Sequence, residues 1–88
     1  MIKILRAEVV GNHVVRLDFS DGSDGDYDLS ELIRRDTEMV RPLRDPAFFA
    51  AFFLELGALC WRNGFELSAE SLHRKLAEQG ALRCADAA

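Results

Sequence analysis

The chain is poor in the side chains that metal binding and nucleophilic catalysis draw on most. It has two histidines and two cysteines in 88 residues. His13 and His73 sit in no HExxH pattern and at no ligand spacing from a cysteine. Cys60 and Cys84 form no CxxC pair, so they read as free thiols of a reducing cytoplasm and not as a disulfide or zinc framework. Long apolar runs are also missing. The longest, residues 47–54, falls well short of the about 18 residues of a membrane span, and Met1-Ile2-Lys3-Ile4 begins like a strand and not like a secretory leader. The expectation is a cytoplasmic protein with no membrane partner. Basic charge is the minority: 11 Lys and Arg stand against 15 Asp and Glu, for a net charge of −4. That balance weighs against a dedicated nucleic-acid surface. No phosphate loop, nucleophile elbow or dinucleotide fingerprint is present. No catalytic residue, metal or cofactor is therefore expected.

What remains is enough for one small domain. A chain of this length lies at the marginal end of buried-surface scaling. Its 49% hydrophobic content, with six Phe, one Tyr and one Trp, still supplies a core. Residues 1–80 are expected to form that domain, and 81–88 a frayed tail.

The N-terminal part reads as sheet. Residues 2–10 and 14–19 are β-branched and aromatic segments around Gly11-Asn12-His13, a hairpin signal. A three-residue loop sets Leu5, Ala7 and Val9 opposite Phe19, Leu17 and Val15 and gives one apolar face. A two-residue turn would mix Arg6 and Glu8 into that face, so the pattern selects three. A second turn leads to a short, charged edge strand at residues 26–29. Ser30 is expected to cap a short helix over 31–35 with Leu32 and Ile33 inward, and a loop over 36–41 returns Met39 and Val40 to the core. Asp45-Pro46 starts a helix of about two turns. Its apolar continuation does not type itself by periodicity. Phe52, Leu54 and Leu56 then read as the inner face of a strand that turns at Gly57 into residues 58–61. Ser68 caps a last helix with Ala69, Leu72 and Leu76 inward and Gly80 as its stop. The expected fold is α+β: a small, mostly antiparallel sheet of about five short strands with two to three short helices.

These landmarks together resemble the domain of unknown function 2442 family. The matching residues are Phe19, Asp21-Gly22, Asp28-Leu29, Leu43, Asp45, Phe49, Phe52 and Leu59. They continue through Trp61, Asn63-Gly64, Glu66-Leu67 and Leu72. Arg62 and Ala69 stand where that pattern usually has proline, and Glu66 and Glu70 where it usually has aspartate. The resemblance implies a small sheet flanked by short helices. It also implies a gene lying beside that of another small protein, in pairs that look like toxin–antitoxin modules.

Three stretches invite a chemical reading. In the acidic loop from Asp21 to Asp28, an EF-hand register starting at Asp24 puts Leu29 where the sixth-position Gly belongs and Arg35 where the bidentate Glu belongs. The loop therefore reads as a solvated turn. A Cys60–His73 nucleophilic pair needs only proximity in space, but Cys60 beside Trp61 in a short strand reads as a small buried hydrophobe. Trp61-Arg62-Asn63-Gly64 is where structure and function compete. Trp61 either closes the core while Asn63-Gly64 makes a tight turn, or stands with Arg62 and Asn63 as a partner-facing anchor. Arg34, Arg35, Arg41 and Arg44 form a second candidate surface for an acidic partner or for phosphates. The leading functional expectation is a non-catalytic protein–protein interaction module, the antitoxin-like half of a gene pair. The alternatives are a nucleic-acid-associated regulatory domain and a structural domain with no ligand. Exposed sheet edges in so small a domain also suit a homo-oligomer.

Overall fold

The structure, a computed structural model, describes residues 1–84. Strands β1 (Ile4–Gly11), β2 (Val14–Phe19) and β3 (Asp24–Asp28) form an antiparallel meander in that order. Ala7 lies opposite Leu17 and Val9 opposite Val15, as the three-residue loop predicts. His13 takes the left-handed position at the end of that loop (φ 60°), where glycine is usual. Leu5 departs from the expected register. Ile4 and not Leu5 faces Phe19, and the extra residue makes a bulge that leaves Leu5 64% exposed.

Period-two alternation gives the sheet one buried face, with Val15, Leu17, Phe19 and Tyr27, and one charged face. On the charged face Arg16 grips Asp26 with two hydrogen bonds, at 2.8 and 3.1 Å. Gly25 lies opposite Leu17, and a Cβ there would come within 3.0 Å of both Leu76 and the Ala81 carbonyl. β3 begins two residues earlier than expected, and its outer side is not bare. Arg83 exchanges backbone hydrogen bonds with Asp24 at 2.8 and 2.7 Å, and its guanidinium reaches Asp24 and Asp26. Residues 81–83, expected to be the start of a frayed tail, are thus tied across β3. The rest of that expectation, over 85–88, lies outside the described residues.

Helix α1 (Ser30–Arg34) is not capped by Ser30. Leu29 is its N-cap, and Asp28 Oδ1 accepts the Ser30 N–H at 2.8 Å, because the chain enters the helix one residue early. Ile33 is buried and Leu32 only half-buried. Of the loop residues, Val40 returns to the core and Met39 does not. A turn of 3-10 helix, Arg41–Arg44, follows and was not expected. Helix α2 (Pro46–Ala50) starts as read from the sequence, with the Asp45 carboxylate accepting the Phe48 N–H at 3.3 Å.

A second antiparallel sheet holds β4 (Phe53–Glu55), β5 (Ala58–Cys60) and β6 (Glu66–Leu67). β6 is a sixth strand, and its two residues are too few to show a period. Leu56, expected on the inner face, is 93% exposed. It sits with Gly57 in a hairpin turn at φ 52° and 81°, the mirror-image geometry that two-residue hairpins favour. Helix α3 (Ala69–Glu78) is capped by Ser68, whose Oγ accepts the Ser71 N–H at 3.2 Å. It ends in a left-handed Gly80, with the Ala81 N–H on Leu76 O and the Gly80 N–H on Ala77 O. One buried cluster joins both sheets to the helices through Leu17, Phe19, Phe49, Leu59, Trp61, Leu72 and Leu76. The architecture is α+β.

Candidate interaction surface at the Trp61 turn

Trp61 leaves β5 directly into the core. It is 1% exposed, and its indole N–H donates to Phe49 O at 3.0 Å. Phe49, Phe52 and Phe65 surround the ring at centroid distances of 6.0, 6.2 and 5.7 Å. This is the packing that an indole accepts when its N–H finds a buried partner. Trp61 is therefore core, and whatever contact this turn makes falls to its neighbours.

Those neighbours form a defined β-turn. The Gly64 N–H bonds Trp61 O at 3.0 Å, with Arg62 and Asn63 at the two central positions and Gly64 beyond them at φ 95°. The Trp61 N–H bonds Phe65 O at 2.9 Å and closes the hairpin. Asn63 has a double role. Its Oδ1 accepts the Phe65 N–H at 3.2 Å, and its amide donates to Met39 O at 3.0 Å. The second bond fastens the turn to a loop 24 residues away. Arg62 is exposed, with its guanidinium 5.3 Å from the centroid of the Phe48 ring, within the range of a cation–π contact.

The arginine group divides. Arg41 Nε bonds Asp36 Oδ1 at 2.7 Å and Arg44 lies 3.8 Å from the same carboxylate. Arg44 also donates to Ile33 O at 3.3 Å, one of the carbonyls that the end of α1 leaves unpaired. Arg34 and Arg35 make no ion pair among the described residues. Arg35 lines a different feature, a groove of ≈ 280 Å³ between α1 and α3 whose walls include Tyr27, Glu31, Lys75 and Glu78. The four arginines thus do not make one patch. Arg41 and Arg44 lie in the 3-10 turn just after Met39, whose carbonyl accepts the Asn63 amide, and both face Asp36. Arg34 and Arg35 lie on α1 and at its end.

Two members of this surface, Met39 and Phe48, were missed. Met39 is 41% exposed beside the turn, and Phe48 carries the Arg62 cation. No sequence signal links residue 39 to residue 63, because the link is a side-chain hydrogen bond to a backbone carbonyl. The α1–α3 groove was missed for a similar reason. Lys75 and Glu78 read as ordinary solvated helix positions until Tyr27 and Glu31 are brought opposite.

The other readings resolve into local structure. Burial, followed by the nearby carboxylates of Glu66 and Glu55, pushes the Cys60 thiol up, away from the reactive thiolate. His73 Nε2 sits 3.0 Å from Asp21 Oδ2 and edge-on to Phe19, so its partner is a carboxylate and not the thiol. In the acidic loop Asp21 accepts from the Ser23 N–H and hydroxyl, Asp24 and Asp26 from Arg83, and Asp26 also from Arg16. Glu66 lies opposite Cys60 across β5 and β6, with its carboxylate 3.8 Å from the thiol.

A small α+β domain, with two three-stranded antiparallel sheets joined over a tryptophan-centred core, is the class these features define. The chain belongs to the family described as protein of unknown function DUF2442, which it matches over residues 4–78. No curated protein and no solved structure gives a comparable match. No helix among the described residues is long and apolar enough to cross a membrane.

Proposed function

We propose that this chain is a non-catalytic protein–protein interaction module of the bacterial cytoplasm, the antitoxin-like half of a two-gene pair. It meets its partner with the rim of the Trp61 turn. The observation that carries the reading is the clamp between Asn63 and Met39, which holds an exposed methionine against the turn that presents Arg62. Arginine and methionine are enriched at interfaces, and a loop whose backbone is already fixed loses less entropy on docking. The complementary surface is an apolar pocket with an acidic border. The nucleic-acid alternative gains less from the same facts, because Asp36 sits against both Arg41 and Arg44 and halves the positive charge that they would offer to phosphates.

The test is co-expression with the product of the neighbouring gene, followed by calorimetric titration of the purified pair. Arg62→Ala and Met39→Ala should each weaken binding about tenfold or more, as anchor residues do, while leaving the unfolding midpoint in place. A neighbouring product that does not bind, with the chain free in lysate, sinks the reading. Salt-dependent binding to duplex DNA would move the function to the alternative.

A further inference from the structure

We infer that the groove between α1 and α3 is a binding site for a small zwitterion, a free α-amino acid with an apolar side chain. The two helices do not close over the first sheet. Between them lies a cavity of ≈ 280 Å³ that reaches down to Tyr27 on β3. That volume stands at the lower edge of the about 300–1,000 Å³ of small-molecule sites. It is small for a nucleotide and suits a molecule the size of one amino acid.

The lining sets the chemistry of the occupant. Its apolar part is Leu32 and Leu67, both half-buried, and the buried Leu72. Each wall also carries one acid and one base about a helical turn apart: Glu31 and Arg35 on α1 and at its end, Lys75 and Glu78 on α3. Residues at such spacing are neighbours that commonly pair, yet none of these four has an ion-pair partner among the described residues. Two cations and two anions around one opening sum to zero, so the groove selects neither a phosphate nor a polycation. A ligand that carries both signs on one carbon satisfies both pairs at once, with its carboxylate toward Arg35 and Lys75 and its ammonium toward Glu31 and Glu78. Tyr27 supplies one more polar group. Its ring is 9% exposed, and its hydroxyl has no hydrogen-bond partner among the described residues, yet it is not sealed from solvent. Burial, and after it the Glu31 carboxylate, pushes this phenol up, so at neutral pH it is an O–H donor for the carboxylate. The groove shares no residue with the Trp61 rim, so this site stands or falls independently of the proposed partner.

The test is a titration of the isotope-labelled chain with L-leucine, L-methionine or L-phenylalanine, read by amide chemical shifts. Saturable shifts should cluster at Glu31, Leu32, Leu67, Ser71 and Lys75 and leave Arg62 and Asn63 still. N-acetyl-L-leucine lacks the ammonium and L-leucinamide lacks the carboxylate, so each should bind about tenfold or more weakly than leucine. The four charged side chains are exposed, so they can be replaced without touching the core. An Arg35→Ala, Lys75→Ala chain should no longer prefer leucine to leucinamide, and a Glu31→Gln, Glu78→Gln chain should no longer prefer leucine to N-acetyl-leucine. Loss of fold would abolish all binding and would not remove one preference while keeping the other. Tyr27→Phe, which keeps the ring, should weaken leucine binding severalfold. Absence of saturable shifts in the groove at millimolar amino acid overturns the proposal. So do blocked leucines that bind as tightly as leucine, or preferences that survive the paired substitutions.

Discussion

Replacing Trp61 separates the two roles its turn has been assigned, and the size of the effect can be worked from its surroundings. Trp61→Ala removes a ring that is 1% exposed and packed among three phenylalanines, and a deletion of that kind costs about 3–5 kcal/mol. It also strips the Phe49 carbonyl of its indole partner, a loss of about 1–3 kcal/mol if no water replaces it. A chain of 88 residues at the usual per-residue stability has roughly 4–13 kcal/mol in all, so the variant should lose a large part of its stability, and at the lower end of that range all of it. Trp61→Phe keeps most of the aromatic packing and loses the N–H, and should cost about 1–3 kcal/mol, near the hydrogen-bond figure alone. The assay is urea unfolding followed by far-ultraviolet circular dichroism at fixed protein concentration, because the variants lack the chain's only fluorescent indole. A Trp61→Ala protein that unfolds within about 1 kcal/mol of wild type would refute the reasoning, since no buried tryptophan is that cheap to remove.

Two further outcomes follow from local geometry and acid chemistry. Leu56 holds a left-handed backbone at φ 52° in an exposed turn before Gly57. Leu56→Asn, which restores the Asn-Gly pair such turns favour, should raise stability by about 0.5–1 kcal/mol in urea unfolding; a loss would mean that Leu56 contributes a contact. The carboxyls of Asp21, Asp26 and Asp28 are held below their ordinary range by hydrogen bonds from Ser23, from Arg16 and from Ser30 respectively. A depressed folded value favours the native state above the unfolded pKa of about 3.9, and that contribution fades as pH falls through the lower folded values. The urea midpoint should therefore drop between about pH 5 and pH 2, and Asp26→Asn should lower it at neutral pH while flattening the drop; an unchanged slope would separate Asp26 from acid sensitivity.

The parts of the fold legible from sequence are those with a local cause. Val14 to Phe19 declare a strand by alternation, Asp45-Pro46 and Ser68 declare helix starts by their capping chemistry, and Gly80 declares a stop. The Ala7–Leu17 and Val9–Val15 pairs were legible because a register error would have put Arg6 and Glu8 on the apolar face. Leu5 escaped because a bulge adds a residue without altering composition. Leu56 escaped because its apolar side chain argued for burial while the demands of a two-residue turn outweighed it. β6 and the pairing of Arg83 with Asp24 escaped for a different reason. Both depend on where distant backbone groups meet, and no window of sequence contains both partners. The candidate surface divides along the same line. Arg62 and Asn63 were found from residue type and turn chemistry, whereas Met39 and Phe48 needed the tertiary structure.

The departures from the family's usual pattern also acquire a physical reading. Proline is usual at the positions of Arg62 and Ala69. Arg62 is the first central residue of the turn closed by the Gly64–Trp61 bond, and its own N–H takes part in none of the backbone bonds of that turn. Ala69 is the first residue of α3, behind the Ser68 cap. Both are places where proline sets a fitting φ and sacrifices no hydrogen bond. The pattern therefore fits this backbone, and the two replacements alter rigidity and surface without altering the path of the chain. At residue 62 the change puts a guanidinium over Phe48, at the rim of the proposed contact. Arg62→Pro is thus the sharpest form of the interaction test. It should hold or raise stability, by about 0.4–1 kcal/mol where proline fits, while deleting the cation proposed to meet the partner. Loss of binding with the fold intact would assign Arg62 to recognition. Binding retained at wild-type strength would return the turn to a purely structural role.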